Sequence, residues 1–172
     1  RKRLMKALSP ASSKHYLPSP LGWIQVELSE QGIHRFWFVD QLPESYLSRS
    51  GEGEQAQLLE KLKTQVAEYF AGQRRQFDLP LAPRGTEFQQ SVWKALCRIP
   101  YGQTWSYAQL AQSIGQPRAS RAVGMANSRN PIGLLVPCHR VIGKNGQLTG
   151  YAGGLERKAW LLEHEQRCTE SG

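Results

Sequence analysis

Apolar positions along this chain follow two rhythms in turn. From Trp23 to Leu28 they alternate loosely with polar ones, as on a half-buried strand. Gly32 opens a second run, Ile33 to Val39, rich in aromatic and β-branched residues. The short link Ser29-Glu30-Gln31-Gly32 makes the two a hairpin. The spacing then lengthens. Leu58, Leu59, Leu62, Val66, Tyr69 and Phe70 recur at helical intervals, and Gly72 marks the stop. A Pro/Gly stretch, Leu79 to Gly85, reads as a connecting loop. Beyond it the pattern is helical. Thr86 with Gln89 and Ser106 with Gln109 form capping boxes at the starts of two helices. Phe88, Val92, Trp93 and Leu96 give the first its apolar face. Leu110 and Ile114 lie along the second. Gly115-Gln116-Pro117 turns the chain into a third helix, Arg118 to about Ser128, which Asn130-Pro131 stops. Gly143 to Gly146 reads as a turn, and Gly150 to Gly154 as a flexible loop. A last amphipathic helix carries Trp160, Leu161 and Leu162 and ends near Glu165.

These elements predict an α+β protein in two domains. Residues 1–83 form a small antiparallel sheet with a helix, the first dozen or so carrying no structural weight and expected to be disordered. Residues 84–172 form a helical domain. A short helix, a Gly-containing turn and a basic second helix give that domain a helix-turn-helix outline. Packed together, the two domains would bury the segment around Cys138.

Bulk properties agree with one or two small domains. The chain has 172 residues, 40% hydrophobic and 21% charged. No run approaches the roughly 18 apolar residues of a membrane span, so no membrane partner is expected. Three cysteines, Cys97, Cys138 and Cys168, form neither a CxxC pair nor a zinc-finger spacing. The expectation is a reducing, cytoplasmic setting without disulfides, and no metal. The net charge is +8, and its distribution matters more than its size. Phe88 to Leu155 contains no Asp or Glu but holds Lys94, Arg98, Arg118, Arg121, Arg129, Arg140 and Lys144. An acid-free basic segment suits a polyanion, nucleic acid being the commonest; a basic surface kept for solubility is the other reading.

One pentapeptide carries the candidate chemistry: Pro137-Cys138-His139-Arg140-Val141, after the apolar run Leu134-Leu135-Val136. A thiol becomes a strong nucleophile as the thiolate, and a neighbouring base promotes that change. On its own Cys138 reads equally as a buried structural cysteine.

Taken together, Arg121-Ala122-Val123-Gly124, Asn130-Pro131, the Pro137–Val141 pentapeptide and Gly150-Tyr151-Ala152-Gly153-Gly154, in this order and spacing, resemble the O6-alkylguanine-DNA alkyltransferases. The likeness is strong from Thr86 to Glu165 and weaker upstream. It implies a cofactor-free, single-use repair reaction on double-stranded DNA. An alkyl group moves from guanine O6, and from O4 of thymine, to a cysteine that is not regenerated. The protein would be a monomer, cytoplasmic and associated with the nucleoid through DNA.

The resemblance also implies roles. Cys138 matches the acceptor, His139 the base acting through a water, and Glu165 the carboxylate that orients the imidazole. Tyr107 matches a tyrosine that helps rotate the nucleotide and protonates the purine. Arg121 matches a finger that fills the gap left by the extruded base. On the same helix, Ala122, Ala126 and Asn127 are DNA-contact positions, in the minor groove. Asn130, Pro137 and Arg140 support the active-site segment, while Tyr151, Ala152 and Gly153 form a lid. Ala152 stands where some relatives carry serine, leaving the backbone N–H as the contact. Two other functions share these motifs: a non-catalytic protein that binds or senses alkylated DNA, and a Cys-His hydrolase, which would turn over.

Overall fold

The computed structural model describes residues 12–44 and 55–171. The expected disorder at the N-terminus falls on residues 1–11, outside that range. Strands β1 (Ser13–Leu17), β2 (Trp23–Ser29) and β3 (Gly32–Val39) form an antiparallel meander in the order β1-β2-β3. The hairpin is where the alternation placed it, with Ile24 paired to Phe38 and Val26 to Phe36. Strand β1 had no signal in the sequence pattern. His15, Tyr16 and Leu17 are buried in succession, so the alternation that marks a half-buried strand is missing.

Both ends of β3 are fastened to later parts of the chain. Gly32 sits at φ +132, and a Cβ there would lie 2.5 Å from the Pro80 carbonyl oxygen, so only glycine fits. Ile33 N–H donates to Pro80 O, and Ala82 N–H to Ile33 O. Farther along, Phe36 N–H donates to Pro131 O at 3.0 Å, and Gly133 N–H donates back to Phe36 O at 2.7 Å. Neighbouring segments thus occupy what would be an open sheet edge.

Helix α1 (Ala56–Phe70) buries Leu59, Leu62, Val66 and Tyr69 and ends at Ala71-Gly72. Helix α2 (Glu87–Leu96) and helix α3 (Tyr107–Ser113) each begin with a complete capping box, at Thr86/Gln89 and Ser106/Gln109. Each cap satisfies backbone donors that a helix start leaves unpaired. Helix α4 (Ser120–Ser128) starts two residues later than the pattern suggested, with no side-chain cap. Strands β4 (Trp105–Ser106) and β5 (Val141–Ile142) form a two-residue parallel pair, too short for any sequence periodicity to reveal. Helix α5 runs Leu155–Ser171, past the expected end near Glu165. Its last turn is polar, so the apolar signal fades before the helix does.

A single apolar cluster passes through both halves, from Leu17, Ile24 and Phe36 through Val92 and Leu110 to Cys138 and Leu161. The fold is α+β as expected, with the Cys138 segment between the sheet and the helices.

Candidate active site and nucleic-acid interface

The chain reaches Cys138 through a tight, heavily bonded loop. Asn130 braces it: its amide donates to Ile132 O at 3.1 Å and Val136 O at 3.0 Å, and its carbonyl oxygen accepts from Ile132 N–H at 3.0 Å. Leu134, buried, adopts a left-handed backbone with φ 65, which costs a non-glycine residue and persists only where the surroundings impose it. Pro137 then precedes a single 3-10 turn, Cys138–Arg140, that feeds β5.

All three residues of that turn are buried. His139 Nε2 lies 2.8 Å from Glu165 Oε2. Arg140 grips the same carboxylate with two bonds, Nε to Oε1 at 2.8 Å and Nη2 to Oε2 at 3.0 Å, and places its Nη1 on Ile99 O at 2.7 Å. Tyr69 O–H donates to Glu165 Oε2 at 2.6 Å, and Gly102 N–H reaches Oε1 at 3.3 Å. The carboxylate of α5 therefore gathers groups from α1, the α2–β4 loop and the 3-10 turn.

Electrostatics follow from this packing. Burial pushes the Glu165 carboxyl up, but His139 and Arg140 outweigh it and hold the group below the usual carboxylate range. For His139, burial outweighs the attraction of Glu165 and lowers the imidazole below its ordinary value. Arg140 and Lys158 push the same way. The imidazole is then neutral at pH 7, and its Nε2–H faces Glu165. Its Nδ1 is buried and has no hydrogen-bond partner. That unoccupied lone pair is a proton acceptor one residue from the thiol. Burial pushes Cys138 up to about 11, against the opposing influence of Asn130 and Lys158. The resting sulfur is a thiol, and losing its proton requires a base.

Lys158, on α5, is wholly buried. Its Nζ donates to Val141 O at 2.7 Å and Thr149 O at 2.9 Å. Burial pulls it down to about 8, while Cys138 pulls the other way. The residue ties β5 and the lid-side loop to α5. Tyr69, one of the helically spaced positions of α1, lies beneath Glu165. No sequence signal distinguished either residue, because each acts through a partner distant in the chain.

Tyr107, at the start of α3, bonds Thr149 Oγ1 through its hydroxyl at 2.7 Å. Its ring packs against Gly124 of α4, where an added Cβ would sit 3.5 Å away. In the lid, Tyr151 meets Trp37 edge-on at 5.2 Å and its hydroxyl is unpartnered. Ala152 is exposed. Gly153 is buried, with room for no Cβ: one would lie 2.9 Å from the Tyr151 ring and 3.2 Å from Phe38. Arg157 anchors the lid, donating to Gly153 O at 3.1 Å and to Leu21 O at 2.9 Å.

On α4 the outer face carries Arg121, Ala122 and Met125, all exposed, Met125 at 56%. With Arg118, Phe88 and Arg129 they border an open depression of about 680 Å³. Ala126 and Asn127 depart from the expected outer position. Ala126 forms the floor of the depression at 2% exposure, its carbonyl accepting from Trp93 Nε1 at 2.9 Å. Asn127 is 5% exposed, with its Oδ1 unpartnered. The helical turn carries both inward, so neither side chain stands on the outer face. The structure thus joins Cys138, His139, Arg140, Glu165 and Asn130 in one buried cluster, with the half-buried Tyr151 beside it and Arg121 and Ala122 on a separate, exposed surface.

Known proteins resemble this chain in sequence and fold. Residues 13–83 match the family model described as 6-O-methylguanine DNA methyltransferase, ribonuclease-like domain, and residues 87–167 match the corresponding DNA-binding domain. A protein of Methanosarcina acetivorans named methylated-DNA–protein-cysteine methyltransferase is 48% identical over 155 residues, covering 87% of this chain and 96% of the relative. The crystal structure of the Mycobacterium tuberculosis O6-methylguanine methyltransferase superposes with a TM-score of 0.79 at 43% identity, over 91% of this chain and 94% of the other. A structure of the mycobacterial protein in complex with DNA superposes at 0.78 with 42% identity, over 90% and 93% of the two chains.

Proposed function

The chain belongs to the 6-O-methylguanine DNA methyltransferase family, and from that premise we propose that Cys138 takes an alkyl group from O6 of guanine in duplex DNA and keeps it. The observation that carries this reading is His139, with Nε2 engaged by Glu165 and Nδ1 open beside a buried thiol. The proton of Cys138 leaves through a water to Nδ1. The imidazolium that forms is stabilised by the Glu165 carboxylate. The thiolate attacks the saturated carbon on O6, an S–C bond forms as the C–O bond breaks, and the electron pair stays on the purine oxygen. A proton from the Tyr107 hydroxyl restores neutral guanine. The product is a thioether, which no group in the site can cleave, so each molecule acts once. The same displacement fits O4 of alkylated thymine.

A base inside a duplex cannot reach a cysteine that is only 3% exposed, so the nucleotide must be extruded. Arg121, exposed on α4, supports this step as the group that fills the vacated stack, with Ala122 permitting close approach to the groove. Tyr151 and the backbone of Ala152 and Gly153 cover the extruded base.

Peptide mass spectrometry after mixing the protein with a duplex bearing one O6-methylguanine tests the reading. The expected result is one added methyl on the Cys138 peptide, saturating at one per protein, and none in Cys138→Ala, which still binds the duplex. Transfer that persists in Cys138→Ala, or more than one event per molecule, overturns it. Bound duplex without mass gain would make the protein a binder of damaged DNA instead.

A further inference from the structure

The depression on α4 does not end at the helix. Gln89 and Arg129 border it and also line a second cavity of about 520 Å³, which continues past Asn130, Pro131 and the lid residue Ala152 to the N-terminal sheet. Three arginines converge on this second cavity from three places: Arg35 on β3, Arg84 in the loop between the two halves, and Arg129 just after α4. All three are exposed, and none belongs to an ion pair among the described residues. Glu27, opposite Arg35 across the strands, lies instead 3.9 Å from Lys14.

Several other polar groups around the cavity are already engaged. Trp37 Nε1 donates to Asn130 O and Trp93 Nε1 to Ala126 O. Gln89 Oε1 accepts from Thr86 N–H in the capping box. Ser128 Oγ donates to Met125 O. The indole rings are 7% and 3% exposed, so they form a rigid floor and offer no face for a base to stack on. What remains is guanidinium charge over an apolar floor. Such a surface recognises an anion by charge and bidentate geometry and does not read base edges. Its continuity with Arg118 and Arg121 through Arg129 makes it a track, which suits a polymer of phosphates better than a single anion.

We infer that Arg35, Arg84 and Arg129 form a phosphodiester clamp, holding the backbone of the DNA strand beside the lesion so that the N-terminal half takes a direct part in binding. The clamp rests on the DNA-repair reading for its ligand. It fixes the strand next to the lid while contributing nothing to base identity.

The test is the salt dependence of binding to a duplex with one O6-methylguanine, followed by fluorescence anisotropy. The proteins are the wild type, Arg35→Ala/Arg84→Ala, Arg129→Ala and Lys63→Ala. Lys63, on α1 and 3.6 Å from Glu60, controls for loss of charge away from the clamp. In the double variant the slope of log K against log salt falls by about 0.9 for each phosphate no longer neutralised, and Lys63→Ala leaves it unchanged. Replacing backbone phosphates one at a time with uncharged methylphosphonate weakens wild-type binding at particular positions near the lesion, and that loss disappears in the double variant. Unchanged slope and methylphosphonate profile in the double variant overturn the clamp, and mass gain on Cys138 in the same samples leaves the repair reading standing. A lower slope without any mass gain removes the repair reading and keeps the clamp. Displacement of the duplex by inorganic phosphate at constant ionic strength, in the wild type alone, would make this a small-anion site and overturn the strand assignment.

Discussion

Two buried histidines, one in each half of the molecule, show what separates the halves. His34 on β3 has both ring nitrogens occupied, Nε2 by Ser29 Oγ at 2.6 Å and Nδ1 by Ala82 O at 2.8 Å. His139 has one nitrogen on Glu165 and the other unpartnered. The contrast extends beyond the pair. Gln65 of α1 is likewise engaged at both ends of its amide, by Asp78 O and Asp78 N–H. The buried polar atoms left without partners among the described residues belong to Tyr101, Asn127, His139 and Tyr151, all in the C-terminal half. Leaving a buried polar atom unpaired costs stability. Two of the four, His139 Nδ1 and the Tyr151 hydroxyl, belong to residues of the Cys138 cluster, so part of that cost falls at the reactive segment.

Glu165→Gln should disturb the contrast most. It strips the counter-charge from buried Arg140, and breaking such a pair by removing one partner costs about 3–5 kcal/mol. Urea denaturation should show that loss, and the surviving folded protein should transfer methyl groups far more slowly. A stability unchanged to within the error of the titration would mean that Arg140 is not held by this carboxylate.

His139→Gln is aimed at the open nitrogen alone, since an amide can still donate to Glu165. The transfer rate should fall by about 10²–10⁴-fold, the usual contribution of a general base, with DNA affinity retained. The pH profile gives a second readout. In the wild type the rate should decline on acidification through a value below the ordinary histidine range, where Nδ1 becomes protonated. In the variant that limb should vanish, and the rate should climb with pH toward the Cys138 value of about 11. Stability responds with the same sign. His139 and Glu165 both have depressed values in the folded state, so the unfolded chain takes up protons first as pH falls. Their contribution is full above the ordinary histidine range and is lost on acidification, first through His139 and then through Glu165.

His34→Phe makes the smallest change and the cleanest control. It leaves Ala82 O without its side-chain partner and Ser29 Oγ with Gln31 N–H alone, costing about 1–3 kcal/mol. The transfer rate of the folded fraction should stay at the wild-type level. A rate that fell with stability would show that the His34 contacts also shape the reactive loop.

Sequence legibility divides along the same line, though not evenly. The hairpin, α1 and both capping boxes could be read because each depends on neighbours within a few positions. The β4–β5 pair could not, since pairing with a distant segment decides it; β1 lacks the alternation of a half-buried strand, and the last turn of α5 is polar. At the site, Cys138 and His139 stood out as adjacent chemistry. Glu165 was named only through resemblance, lying 26 positions from its histidine. Lys158 and Tyr69 gave no signal, because burial rather than residue type makes them matter. The inward turn of Ala126 and Asn127 was missed for a related reason: small and amide side chains fit either face of a helix.

Trp37 and Asn130 meet across 93 positions of sequence, beside the bonds that join Phe36 to Pro131 and Gly133. Contacts between such distant positions carry a loop-closure cost and form slowly in folding. During synthesis, β3 leaves the ribosome long before the segment it pairs with. The reactive loop therefore takes its shape only once residues 131–133 have reached a strand made long before them. A chain interrupted before Asn130 would have the strands of the sheet, half of the shared core, and no cysteine at position 138 to react.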